Sequence, residues 1–320
     1  MDDNEFKHRH ELKFWSKKVM EEKTLKQISG GAPYEKFYID DFDLTHEDYE
    51  GKSILDIGCG PRGSLEWADM ASLRVGLDPL VNDYYKLGGG TLFHKMHYVM
   101  GYSENMPFED ETFDFVFSIN SLDHVDDLDE TISEIKRVVK VGGICGIIVD
   151  VNHKPTKTEP LTINLNLKDN FLDVFEVVEE RVYETVFKTG FRENLDNPTF
   201  YDFDNKEIRP GILLLKLKKI KEFESEGKGG AKANADVFNS LADENLKLKK
   251  ENLKFKKQNS KFKKENANLT KENEKLSKEN VKLGKENAKI KKDCKSSKEE
   301  LKLFKRRKIV RIVDKIKDPK

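Results

Sequence analysis

The chain of 320 residues is expected to fold as an α/β domain followed by a long α-helical coiled coil. The α/β part is expected to be a doubly wound, mostly parallel, seven-stranded sheet. Three observations carry that expectation. Short apolar runs alternate with helix-patterned segments from Ser53 to Val151, which is the signature of βαβ units. A glycine-bearing turn, LDIGCGPRG, closes the first of those runs. Beyond residue 240 the composition narrows to Lys, Glu, Asn and Leu, and an apolar residue recurs at every seventh position.

Residues 1–50 precede the first strand and read as a largely helical cap, with EFKHRHELKFWSKKVM its clearest piece. SILDIG (53–58) has the continuous apolar pattern of a strand buried on both faces, and SLEWADMA (64–71) reads as the helix after it. The next strands are SLRVGLD (72–78), HYVMG (97–101), TFDFVFSIN (112–120) and GGICGIIVDV (142–151). In LDETISEIKRVVK (128–140), Ile132, Ile135, Val138 and Val139 fall at helical spacing. FEVVEERVYETVF (175–187) and GILLLKLKKI (211–220) add two strands with little helix between them, a hairpin that closes the sheet edge. The domain thus occupies residues 51–221. A small, polar, glycine-bearing linker spans 222–240, a coiled coil 241–304 and a basic tip 305–320.

Charge divides the chain in the same place. Residues 1–220 hold 42 acidic against 27 basic side chains, whereas residues 221–320 hold 17 against 31. An acidic head lacks the compensating cations that a phosphate backbone needs, so no nucleic-acid partner is expected. Three cysteines, Cys59, Cys145 and Cys294, share no metal-ligand spacing and form no disulfide framework. His8, His10, His94 and His97 give no defensible ligand set, and no metal is expected; most of them should be exposed or half-buried. No apolar leader and no spanning segment is visible. The expected location is cytoplasmic, with peripheral contact at the inner membrane face as an option.

The glycine turn carries the first chemistry. Gly58, Gly60 and Gly63 follow a strand, and Asp78 ends the next strand twenty residues beyond Gly58. Glycines let a backbone turn sharply and approach a ligand closely, while an acidic side chain accepts hydrogen bonds from a ribose diol. The same spacing satisfies Gly-x-Gly-x-x-Gly, so a dinucleotide-binding oxidoreductase competes at this point.

LDIGCGP, VGLD ending at Asp78, NMPFEDETFDFVFS and LKVGGI occur here in that order. Together they resemble a class I S-adenosylmethionine-dependent methyltransferase of the type 11 kind, across about residues 50–220. The resemblance implies a Rossmann-like methyltransferase fold, a reversed last strand and S-adenosyl-L-methionine as cofactor. It implies that Asp56, Gly58 and Gly60 cradle the methionine end and ribose, and that Asp78 binds the ribose hydroxyls. Ser103 and Glu104, with Asn105, would border the adenine, and Asn120 to Leu122 would lie beside the sulfonium. Tyr102 stands where the family often has an acidic residue near the adenine amine. A wider pattern in PRGSLEW, SLDHVDD and DVNHKPTKTEP is similar to methyltransferases of surface-polysaccharide assembly.

Methyl transfer to a hydroxyl needs an in-line acceptor and a proton acceptor. His124, after the fourth strand, and His153, after the fifth, stand at strand C-terminal ends and are the candidates, with Asp123 and Asp150 near them in sequence. Each could equally cap a loop. Trp15 and Tyr34 are candidates for an acceptor lid or for ordinary packing.

In the C-terminal repeat, Leu248, Phe255, Phe262, Leu269, Leu276, Leu283 and Ile290 take heptad position d, and Asn245 through Asn287 take position a at the same step. A buried Asn finds its partner only on an in-register parallel helix, so it fixes register and orientation at a cost in stability. Glu at g and Lys at e favour the same pairing. The expectation is a parallel homo-oligomer, a dimer or alternatively a trimer, roughly 95 Å long at about 1.5 Å per residue. Beyond it, Ile309, Ile312, Val313 and Ile316 share a face ringed by Lys and Arg, which suits a membrane surface, an acidic protein or a solvated end.

These parts suggest a methyltransferase O-methylating a glycan or glycan precursor near the membrane. A small soluble metabolite as acceptor, or an inactive scaffold with a cofactor-binding head, are the rivals.

Overall fold

The computed structural model describes residues 3–21, 34–87, 91, 93–186, 190–224 and 235–317. It forms two compact units, residues 1–253 and 254–320.

In the first unit, helix α1 (Asp3–Glu21) and the short helix α2 (Glu35–Tyr38) precede the sheet. Then come β1 (Ser53–Ile57), β2 (Leu73–Leu77), α3 (Val81–Leu87), β3 (His97–Val99), β4 (Phe113–Ile119), α4 (Leu128–Val138) and β5 (Val139–Val151). β6 (Phe175–Glu184), α5 (Phe191–Asp196) and β7 (Gly211–Lys219) complete the head. The seven strands lie in the order β3-β2-β1-β4-β5-β7-β6. β1 to β5 pair in parallel, and β7 runs antiparallel to both β5 and β6. The doubly wound sheet with a reversed last strand is therefore present.

Both faces are covered, which explains why every residue of β1 is buried. Leu55 and Ile57 point to the face on which Ile132, Ile135 and Val138 of α4 pack. Ile54 points to the other, where Phe37, Tyr38, Phe42 and Tyr49 of the cap meet Phe115 and Phe117. α4 starts where the Asp127 side chain accepts a hydrogen bond from the Glu130 amide, with acidic residues in its first turn and Lys136 and Arg137 in its last. That arrangement satisfies an orphan donor and opposes the helix dipole.

Three local expectations are corrected. Residues 64–71 form turns, not a helix. The Arg74 guanidinium donates to the carbonyls of Leu65 (3.3 Å) and Glu66 (3.2 Å), and Tyr98 Oη accepts from the Gly63 amide (2.9 Å). Tertiary partners thus replace the internal bonds a helix would supply. α4 ends at Val138 and β5 begins at Val139, so the helix passes into the strand without the connection expected before Gly142. His94 is buried, its Nδ1 2.6 Å from Tyr98 Oη, rather than exposed or half-buried.

Helix α6 (Ala235–Lys317) is continuous across both expected boundaries, 240/241 and 304/305, and makes up most of the second unit. Residues 225–234 of the expected linker lie outside the described residues. Phe262, Leu269, Leu276, Leu283 and Ile290, the d positions with described side chains, are each 51–63% exposed. The side chains of Ile312, Val313 and Ile316 in the expected tip lie outside the described ones. Among the described residues no helix is long and apolar enough to cross a membrane.

Candidate active site

β1 and β4 are neighbours whose connections leave in opposite directions, and open α/β sheets bind ligands beside the C-terminal ends of such strands. The chain leaves β1 through Gly58, Gly60 and Gly63 with φ of 72°, 58° and 71°. At Gly58 the requirement is doubled, because a Cβ there would stand 2.4 Å from Cβ of Ser121. The turn is tied to the end of β2. Asp78 Oδ2 accepts from the Gly60 amide (3.1 Å) and from Tyr84 Oη (3.4 Å), and Oδ1 accepts from the Leu80 amide (2.8 Å). Burial pushes the Asp78 carboxyl up to about 6 despite those donors.

A cavity of about 680 Å³ opens here, within the size range of ligand pockets. Gly58, Asp78, Ser103, Glu104, Asn120 and His124 line it, as expected from the sequence. Asn120, held at φ 54°, has a buried Oδ1 without a hydrogen-bond partner. An orphaned acceptor in a cavity fits a donor such as the amino group of a methionyl moiety, and Asp78 at the end of β2 fits a ribose diol. These residues would hold S-adenosylmethionine.

Five expected residues do not line the cavity, Asn105 among them. Asp56 is buried beneath the turn, where it accepts from the Ser64 hydroxyl and Tyr38. Its role is to fix the turn, and burial pushes its carboxyl up to about 7. Gly60 contributes its amide to Asp78, and its open side is filled by the Trp15 ring, 2.9 Å from where a Cβ would stand. Leu122 is wholly buried in the core. His153 lies behind Asp123, Nε2 to Oδ2 3.3 Å.

Helix α1 supplies Trp15, an expected candidate for a lid or for packing, and Glu11, which no local motif announced. Glu11 and Trp15 face the cavity, and burial, then the nearby Asp78, raise the Glu11 carboxyl. Lys7 Nζ donates to the His124 carbonyl (2.8 Å) and pairs with Asp126, which holds α1 to the loop after β4. Glu159 reaches the same edge from the segment after β5. Tyr102 lines the cavity with its ring 5.9 Å from that of His8. Glu104 is turned partly away, Oε1 accepting from the amides of Asp126 (2.7 Å) and Asp127 (3.2 Å).

His124 and Asp123 share this edge. Burial lowers the His124 imidazole, and burial raises the Asp123 carboxyl, with the charges of Glu159 and Asp150 acting in the same direction. Asp150, also desolvated, is pushed up to about 6.

Residues 55–147 match the family profile Methyltransf_11, described as a methyltransferase domain. The sterol 24-C-methyltransferase ERG6B of Gibberella zeae is 30% identical over 140 residues, which covers 40% of this chain and 36% of that protein. YrhH of Bacillus subtilis, provisionally named a methyltransferase, is 31% identical over 130 residues, 37% of this chain and 66% of that protein. A solved S-adenosylmethionine dependent methyltransferase from Mesorhizobium loti aligns at 16% identity with a TM-score of 0.39, covering 56% of this chain and all of that one. The chain therefore spans little more than a third of the length of the first of these relatives. Residues 55–147 of its head thus match a methyltransferase domain, and S-adenosylmethionine is the cofactor expected in the cavity.

Proposed function

We propose that this chain transfers a methyl group from S-adenosylmethionine to an oxygen of a glycan or glycan precursor near a membrane surface, with copies joined through α6. The observation that carries the reading is the two-sided cavity. Gly58, Asp78 and Asn120 form the cofactor side, while Lys7, His8, His124 and Glu159 line the cavity with polar and charged groups and Tyr34, Phe37 and Phe191 with aromatic rings. Bound cofactor supplies a methyl carbon activated by its sulfonium. A hydroxyl acceptor must be held in line with that carbon and give up a proton, which is drawn off at the Asp123–His124 edge. His153 stands behind that carboxylate, Nε2 3.3 Å from Oδ2. Charged and aromatic groups side by side suit a hydroxylated ring better than the apolar body of a sterol. The relatives named for sterols therefore support the transfer chemistry, not the acceptor. The exposed d-position stripe of α6 supports self-association, and Lys305, Arg306, Arg307 and Lys308 support attraction to an anionic surface.

The test is label transfer from methyl-labelled S-adenosylmethionine to isolated polysaccharide, lipid-linked oligosaccharide, sterol and soluble metabolites. Label in a glycan methyl ether is expected, and His124→Ala should lower it by roughly 10²-fold while S-adenosylhomocysteine still binds. Label in a sterol or only in small metabolites would replace the acceptor. No transfer to any class, with cofactor still bound, would leave a scaffold.

A further inference from the structure

Asp123 is a buried carboxylate with one oxygen left over. Its side chain is only 1% exposed, and Oδ1 has no hydrogen-bond partner. Leaving such a group unmatched in a low-dielectric site is costly, so native structures almost always provide a proton donor, a water or an ion. Oδ1 faces the His124 imidazole, Nε2 at 3.8 Å, which is too long for a hydrogen bond. A carboxylate oxygen of Glu159 completes a trio whose ligand atoms all lie within 4.8 Å of one another. Atoms that each stand about 2.1 Å from a common ion lie about 3–4 Å apart, so a small inward movement of Glu159 closes the set. Asp123 lies in the turn of 3-10 helix Leu122–His124 directly after β4, which fixes two of the three groups on one rigid element. His153 approaches the other oxygen, Oδ2, at 3.3 Å, while its Nδ1 is 3.0 Å from the Lys154 carbonyl and donates to it. That leaves Oδ1 as the unpartnered oxygen on the His124 side.

From this geometry we infer that Asp123, His124 and Glu159 form a divalent cation site at the acceptor edge of the cavity. Two carboxylates and one imidazole are an oxygen-rich set with one nitrogen, suited to Mn²⁺ or a similar first-row divalent ion, and three protein ligands leave positions open for water or acceptor. Lys7 does not fill the site, since it is committed to Asp126 and to the His124 carbonyl. The inference rests on the proposed methyl transfer for its role but not for its existence. With the ion bound, His124 is a ligand rather than the proton acceptor. A coordinated acceptor hydroxyl becomes more acidic, and its proton passes to solvent as the oxygen–methyl bond forms and the methyl–sulfur bond breaks. The acceptor class follows: a hydroxyl able to coordinate, better still two neighbouring hydroxyls of a sugar ring.

The experiment is titration of the chelator-treated full chain with MnCl₂ alone, following the free-ion signal by electron paramagnetic resonance. One site per chain with micromolar affinity is expected, weakened at least tenfold by Glu159→Gln and by Asp123→Asn. Glu159 is only half-buried, so its variant should keep the parent melting temperature and show that the loss is not unfolding. S-adenosylhomocysteine is titrated in parallel. No stoichiometric Mn²⁺ binding, or binding equal in both variants and hence adventitious on acidic surface, overturns the inference while retained S-adenosylhomocysteine binding leaves the methyltransferase reading standing. Mn²⁺ binding without S-adenosylhomocysteine binding supports the site and overturns that reading instead.

Discussion

Gly58 and Asp56 show at the level of single residues how the turn is specified. Gly58 combines a left-handed φ of 72° with a Cβ position 2.4 Å from Ser121, so neither backbone nor neighbour admits a side chain. Gly58→Ala should cost about 1–3 kcal/mol of stability and weaken S-adenosylhomocysteine binding at least tenfold, read by thermal unfolding and calorimetry. Asp56, held at about 7 by burial, titrates between the ordinary carboxylate value and neutrality. Over that window the folded chain binds more protons at this site than the unfolded chain, so its contribution falls as pH rises from about 4 to 7. Asp78, pushed up to about 6, has the same sign. Denaturant unfolding at pH 5 and pH 8 should therefore show a smaller loss of stability in Asp56→Asn than in the parent, by about 2–3 kcal/mol. An equal loss in both would place the Asp56 charge outside the folding equilibrium.

At the scale of elements, strands were legible wherever burial on both faces demanded a mostly apolar run, as in SILDI of β1 and ILLL of β7. The 64–71 segment was not, because its pattern of Leu65, Trp67 and Ala68 suits a helix while its polar atoms are claimed by Arg74, Tyr98 and Asp56 from elsewhere. Arg137 was equally hidden, since a basic residue in a last helical turn reads as a solvated end. It donates to both oxygens of Glu134 (2.6 and 2.7 Å), to Asp110 (2.9 Å) and to the carbonyls of Met106 (3.1 Å) and Phe108 (2.7 Å). α4 thereby anchors the segment that follows Tyr102–Glu104. Arg137→Ala leaves Glu134 buried and uncompensated, and should cost roughly 3–5 kcal/mol in chemical denaturation. Arg137→Lys should recover only part of it, because an ammonium cannot form the bidentate pair. In α6 the exposed stripe at Leu269, Leu276 and Leu283 is expected to be covered by the same stripe of a second copy. Sedimentation should show a dimer or trimer for the parent and a monomer for Leu276→Lys/Leu283→Lys. A monomeric parent would remove the pairing.

For the molecule as a whole, the glycine turn and Asp78 were readable because their spacing along consecutive βα units is set by local backbone geometry, whereas Asn120 was expected only from the family resemblance. Glu11 and Glu159 were not, because they come to the cavity from a helix more than thirty residues before β1 and a loop after β5, while Trp15 was a candidate for a lid or for ordinary packing. Leu122, expected at the sulfonium, is in the core because the 3-10 turn after β4 rotates it inward and leaves His124 at the cavity. What joins all of these parts is one claim, that the cavity at the ends of β1, β2 and β4 holds S-adenosylmethionine. Calorimetric titration of the full chain with S-adenosylhomocysteine, with NADH in parallel and Asp78→Ala as the comparison, tests it most directly. Micromolar binding of S-adenosylhomocysteine, weakened at least tenfold by Asp78→Ala, with no heat from NADH, is the expected result. NADH binding in its place, or no binding of either ligand by a folded chain, would contradict the claim.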